Sequence, residues 1–138
     1  MLNKDLISAS IPTLSLGDTV LRALHLMADY HVGHLPVIAE EKFLGLISED
    51  NLLNIEEDGL LLDQLQSEFI NLSVIDDMHF IEAVRIVNEY SLSVMPVIDN
   101  ESSWVGAITA ADLLKNVGRM YGMDEPGGII VLEIEKRE

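Results

Sequence analysis

The chain has 138 residues, enough for one compact unit or two very small ones. Its 8 basic and 24 acidic side chains give a formal charge of −16, which excludes the basic footprint that nucleic acid or an anionic membrane surface requires. Cysteine is absent, so disulfides, thiolate metal sites and thiol nucleophiles are excluded as well.

In chain order, Asp18 is the expected cap of a first helix, along which Val20, Leu24 and Met27 recur at helical spacing as a buried stripe. A short strand, "LPVIA", follows; its Pro36 suits an edge or a first strand position. The turn "EEK" leads to a second strand, "FLGLI", and then to a helix from about Ser48. "NIEEDGLLLDQLQSEF" is a partly helical joint, in which Glu56, Glu57 and Asp58 read as a solvated loop. Asp77 is the expected cap of a helix carrying Phe80, Val84 and Val87. "MPVID", "NESS" and "WVGAI" then repeat strand, turn and strand, and a last helix starts at about Thr109. Lys115 and Arg119 complement its C-terminal end. Beyond them "IIVLEIEKRE" alternates as a strand does, behind the break at Pro126, Gly127 and Gly128.

These elements are two copies of one unit. Ala23 matches Ala83, Tyr30 matches Tyr90 and "PVI" matches "PVI" at an offset of 60; after one inserted residue Gly45 matches Gly106 and Leu52-Leu53 matches Leu113-Leu114. Each copy reads helix, strand, strand, helix. Neither buries its apolar faces alone at this size, so the two are expected to pack together. The division is residues 1–58, 59–119 and a tail at 120–138.

The duplicated "h-P-V-I" strands, each followed by the pattern Gly-h-h-[Ser/Thr]-x-x-Asp with Asn51 replacing the aspartate in the first copy, resemble a tandem pair of CBS domains over residues 6–119. The resemblance implies an α/β (α+β) fold in which two CBS repeats pack by pseudo-twofold symmetry into one disc-shaped module with two clefts. It also implies a regulatory module whose clefts take AMP, ADP, ATP or S-adenosylmethionine, and one that dimerises. "DEPGGIIVLEIE" resembles the opening of an ACT-type regulatory domain, as carried after the pair by proteins similar to the acetoin-utilisation regulators.

The stretch "GAITAADLL" poses the central question. Thr109 and Asp112 have the spacing of a capping box, in which the hydroxyl takes one orphan N–H of the helix and the carboxylate reaches back to another. The resemblance implies a different role, with Asp112 holding both ribose hydroxyls and Thr109 facing phosphate beside the free N–H groups of Ala110 and its neighbours. Under that reading Val94, Met95, Pro96 and Val97 are either core or the apolar cleft wall. His34 then stands as a phosphate contact, against the default of a solvated loop histidine.

The first repeat has Ser48 and Asn51 at the matching positions and Pro36 in its strand. It places Glu49 and Asp50 where the second repeat has Ala110 and Ala111, so a phosphate is repelled there. The second cleft is therefore expected to be the better site. The high apolar content, 49% of residues, points to a subunit interface, and the resemblance implies that the partner is a second copy, in a homodimer. No transmembrane-length run and no cationic, apolar leader are seen, so a cytoplasmic protein without nucleic-acid or membrane partners is expected. His31 and His34 in "HVGH" lack a third ligand, and no metal is expected except Mg²⁺ accompanying ATP. No HExxH, Walker loop, dinucleotide turn or nucleophile elbow occurs, so no catalytic residue is assigned. A dimerisation scaffold without a ligand is the alternative reading.

Overall fold

A computed structural model describes residues 1–9 and 11–122. The first repeat comprises α1 (Val20–Tyr30), β1 (His34–Ala39), β2 (Lys42–Ser48) and α2 (Glu49–Leu53); the second comprises β3 (Val74–Ile75), α3 (Ile81–Tyr90), β4 (Val94–Ile98), β5 (Trp104–Thr109) and α4 (Ala110–Met120). The expected order of helix, strand, strand, helix holds in both copies. The expected strand beyond Gly128 lies outside the described residues.

Each hairpin is antiparallel and carries one irregularity at the same place, after Val37 in β1 and after Val97 in β4. β4 is the central strand of three, flanked by β3 in parallel. Pro96 is tolerated there because the β3 ladder begins one residue later, at Val97. In the first repeat a single residue, Leu14, pairs with β1 in β3's place.

Two helix starts differ from expectation by a few residues. Asp18 caps a turn, accepting from Ser15 N–H at 2.8 Å, and Thr19 is the N-cap of α1. Asp77 lies in an exposed turn; α3 starts later, behind Phe80, where the His79 Nδ1 accepts from the Ile81 N–H at 3.2 Å. An imidazole therefore serves where a carboxylate is expected.

The core has two centres, and the chain crosses between them. Val20, Ala23, Met27, Leu35, Val37 and Ile47 form one, together with Leu62 and Leu65 from the joint. Phe80, Ala83, Val94, Met95, Val97 and Ile108 form the other, together with Leu6 from the start of the chain. Fully burying a side chain such as Met27 or Met95 contributes about 1.5–3 kcal/mol. Each repeat is thus completed by the segment that precedes its mate. Leu62 N–H donates to the Asp18 carbonyl at 2.9 Å, and Asn3 N–H donates to the Met78 carbonyl at the same distance. The hairpin tips also meet, with Phe43 and Trp104 stacked at 5.8 Å.

Candidate functional site

The start of α4 answers half of the capping-box question directly. Thr109 is the N-cap, in extended backbone, and its hydroxyl accepts from the Asp112 N–H at 3.0 Å. The reciprocal half is not made in the usual way. Ser8, from the far end of the chain, stands between the two groups: its hydroxyl accepts from the Thr109 N–H at 3.0 Å and donates to Asp112 Oδ2 at 2.6 Å. Ser8 Oγ also lies 3.5 Å from Thr109 Oγ1.

Ser8 is seated by its own backbone, whose N–H donates to the Ala107 carbonyl at 2.8 Å. Gly106 leaves room for this approach, since a Cβ there would fall 2.7 Å from Ile7 Cγ2. Sequence reasoning missed Ser8. Nothing local marks it, because its partner lies 104 positions away.

Asp112 is half-buried, and among the described residues the ion pairs are those of Arg85 with Glu82 and Glu89. Its carboxylate therefore has a hydroxyl partner and accepting capacity to spare.

The helix start is less open to phosphate than expected. Ala110 N–H donates to the Ser93 carbonyl at 2.9 Å, Asp112 N–H is held by Thr109, and Thr109 N–H is held by Ser8. Among the first amides of α4 that leaves Ala111, whose residue is exposed. The Thr109 hydroxyl is likewise occupied by the cap.

The first repeat shows the same frame with different chemistry. Ser48 caps α2 by accepting from Asn51 N–H at 3.2 Å, and Glu49 N–H donates to the Gly33 carbonyl at 2.8 Å. Ile70 takes Ser8's place, exchanging backbone hydrogen bonds of 2.8 Å in both directions with Leu46. No hydroxyl can orient Asn51 from an isoleucine. Glu49 and Asp50 follow the cap, Asp50 being exposed.

The two helix starts meet at one junction. Gly33 N–H donates to Ser93 Oγ at 3.0 Å, and His34 Nδ1 lies 2.8 Å from that oxygen and accepts from Ser93 N–H at 3.2 Å. Nδ1 therefore carries a lone pair, which assigns the ring proton to Nε2. Burial pushes the imidazole pKa below its usual 6.5, with the Asp50 carboxylate partly opposing the shift. His34 is a bridge between the repeats, and only its Nε2 edge is left to meet a ligand.

Val94, Met95, Pro96 and Val97 are buried, Val94, Met95 and Val97 with 0% exposure. Every residue of β4 is buried, as a strand covered on both faces requires. Pro36 is buried likewise. Glu56, Glu57 and Asp58 are exposed, as a solvated loop requires. Among the described residues no group of three or more His, Asp or Glu could hold a metal ion, and no helix is long and apolar enough to cross a membrane.

Residues 4–58 match the CBS domain family. A homoserine O-acetyltransferase from Methanosphaerula palustris is 28% identical over 118 residues, 84% of this chain and 24% of its own length. An inosine-5′-monophosphate dehydrogenase from Methanocaldococcus jannaschii is 26% identical over 131 residues, 92% of this chain and 26% of its own. The chain thus spans about a quarter of these relatives.

Among solved structures, a CBS domain pair/ACT domain protein from Thermotoga maritima superposes with a TM-score of 0.76 at 20% identity, covering 87% of this chain and 98% of its own. A putative acetoin utilisation protein from Vibrio cholerae gives 0.71 at 20% identity, covering 100% and 97%. A CBS domain pair in complex with 5′-methylthioadenosine and S-adenosyl-L-methionine gives 0.68 at 20% identity, covering 91% and 98%. CBSX2 in complex with AMP gives 0.68 at 20% identity, covering 87% and 98%.

Proposed function

Because the chain carries a CBS domain at residues 4–58 and folds as a CBS-domain pair, we propose that it is a regulatory sensor of an adenosyl compound, bound at the Thr109–Asp112 helix start. The observation that supports this most is the Asp112 carboxylate. It is half-buried and held by Ser8 at 2.6 Å. Its unused lone pairs can accept both hydroxyls of a ribose, a charge-assisted pair of bonds. A helix cap alone needs none of that capacity.

The ligand class follows from what the site does and does not offer. Three of the polar groups that would receive a phosphate are already hydrogen-bonded within the protein, and the chain carries a charge of −16. An adenosyl compound without phosphate, such as 5′-methylthioadenosine or the cationic S-adenosylmethionine, is therefore preferred over AMP, and AMP over ATP, which would bring Mg²⁺. Both nucleoside classes occur among the structural neighbours. The Ser48/Asn51 cleft is the weaker site.

Ligand binding stiffens the junction between repeats and alters how modules meet. The output is a change in a second copy or in an attached enzyme, with no catalysis by the pair itself. Met78, Ile81 and Tyr90 lie exposed on or beside α3 and give a homodimer its apolar face. The same exposed residues favour the second reading, a scaffold that pairs without a ligand.

Thermal unfolding with adenosine, 5′-methylthioadenosine, S-adenosylmethionine, AMP and ATP with and without Mg²⁺ tests the proposal. A ligand at about 100 times its dissociation constant adds about 2.7 kcal/mol. The sensor reading predicts such a shift with a phosphate-free adenosyl compound and its loss in Asp112→Ala. No shift with any of them leaves the scaffold.

A further inference from the structure

We propose that Ser8 is the positioning residue that keeps Asp112 available to a ligand instead of letting it close the cap of its own helix. The inference rests on the adenosyl-sensor reading for its binding consequence, and on the hydrogen bonds around Ser8 for its structural one.

A threonine N-cap followed by an acidic residue at the third helical position has a default geometry. The carboxylate turns back and accepts from the backbone N–H of the cap. Both residues are in place here, and the first half of that box is formed. The second half is intercepted. Thr109 N–H gives its hydrogen bond to Ser8 Oγ at 3.0 Å, and the Ser8 hydroxyl donates its own to Asp112 Oδ2 at 2.6 Å. A neutral hydroxyl, able to accept and donate at once, replaces the direct contact between amide and carboxylate.

Two things follow from that substitution. The carboxylate is held one hydroxyl's length away from the helix start, and only one of its oxygens is used. Without the hydroxyl, Thr109 N–H would be left unsatisfied in a half-buried place, at a cost the carboxylate can remove by swinging back onto it. The helix would remain capped, but Asp112 would be withdrawn from the ribose.

The segment that delivers Ser8 belongs to the start of the chain, and it is bound to the second repeat along its length. Asn3 N–H donates to the Met78 carbonyl, Lys4 N–H to the Asp76 carbonyl at 3.0 Å, and Ser8 N–H to the Ala107 carbonyl. The site in the second repeat is therefore incomplete without residues that precede the first. In the first repeat Ile70 occupies the matching place, so Asn51 has no such support. The inequality of the two clefts lies in Ser8 against Ile70 as much as in Asp112 against Asn51.

The test compares Ser8→Ala, Ser8→Cys and Ser8→Thr with the wild type, using 5′-methylthioadenosine and S-adenosylmethionine as probes in titration calorimetry, with melting curves and crystal structures of the free variants. Ser8→Ala is expected to melt close to the wild type while its affinity falls about tenfold or more, the loss of one charge-assisted, well-oriented contact. Its structure is expected to show the Asp112 carboxylate on Thr109 N–H. Ser8→Thr keeps the hydroxyl and is expected to restore binding; Ser8→Cys keeps the volume with a weak donor and is expected to bind as poorly as Ser8→Ala.

Unchanged affinity in Ser8→Ala, or a carboxylate that stays where it is in the wild type, would overturn the proposal. So would a Ser8→Cys variant that binds normally, which decides the matter even if Ser8→Ala fails to fold. If no probe binds the wild type, the sensor reading fails by itself, and the Asp112 position in the free Ser8→Ala structure still decides the role of Ser8.

Discussion

Ser8 and Asp112, 104 positions apart in the chain, share a hydrogen bond of 2.6 Å. The contact depends on Ile7 lying against Gly106, where any side chain would press on Ile7 Cγ2 at 2.7 Å. Gly106→Ala is therefore expected to cost about 1–3 kcal/mol by overpacking and to pull Ser8 away from Asp112. Gly45 is its counterpart, with Phe69 Cβ at 2.7 Å and a φ of +151° that disfavours a side chain besides. Gly45→Ala is expected to destabilise more than Gly106→Ala, yet to spare adenosyl binding once folded. Denaturant midpoints and binding titrations on the two variants check both halves.

The His34–Ser93 bridge makes stability depend on pH. The folded imidazole has a pKa below 6.5, so the folded state binds fewer protons than the unfolded chain in the window between the two values. The contribution is complete above pH 6.5 and is lost as the pH falls through the folded value. Protonating Nδ1 also breaks its acceptance of the Ser93 N–H and O–H. Urea midpoints at pH 7.5 and pH 5.5 are expected to fall for the wild type and to fall less for His34→Gln. An equal fall in both would show that His34 is not the group responsible.

Asn3 is a buried polar residue at a place where the mate repeat has leucine. Its backbone bond to Met78 mirrors that of Leu62 to Asp18, yet its Oδ1 has no partner among the described residues while Nδ2 donates to the Ile75 carbonyl at 2.7 Å. That carbonyl also accepts from Met78 N–H, so it stays satisfied if the amide is removed. Asn3→Leu is expected to raise stability by about 1 kcal/mol, read as a higher melting temperature. A lower melting temperature would mean that the Asn3–Ile75 bond outweighs the orphaned oxygen.

Thr109 and Ser48 are caps whatever else they do. Replacing either by alanine is expected to cost about 1 kcal/mol, while Thr109→Ser costs little. Equilibrium unfolding of the three variants measures this. Thr109→Ala is expected to weaken adenosyl binding as well, because the Asp112 N–H loses its anchor.

The elements were legible in the sequence where their cause is local. The stripe of Val20, Leu24 and Met27, its copy at Phe80, Val84 and Val87 (Leu24, Val84 and Val87 being half-buried, with Ala23 and Ala83 beside them fully so), the paired Pro-Val-Ile strands and the caps Ser48 and Thr109 all follow from spacing and side-chain chemistry within a few residues. Asp18 misled because an aspartate one place before a threonine can serve the preceding turn instead. The buried state of Val94 to Val97 could have been read more firmly: four apolar residues without alternation mark a strand covered on both faces. Ser8 could not have been read, since a serine in an irregular segment acquires meaning only when the chain exchanges segments between repeats. The pairing of β4 with β5 runs on past Val94 and Thr109 to put the Ser93 carbonyl on Ala110 N–H, which occupies one of the amides that the helix start offered to a phosphate.

The most direct measurement of the central claim is the stoichiometry of 5′-methylthioadenosine or S-adenosylmethionine binding by titration calorimetry, on the wild type, Asp112→Asn and Asn51→Ala. One tight site per chain is expected, lost in Asp112→Asn and kept in Asn51→Ala. Two equal sites, or binding that survives in Asp112→Asn and disappears in Asn51→Ala, would contradict it.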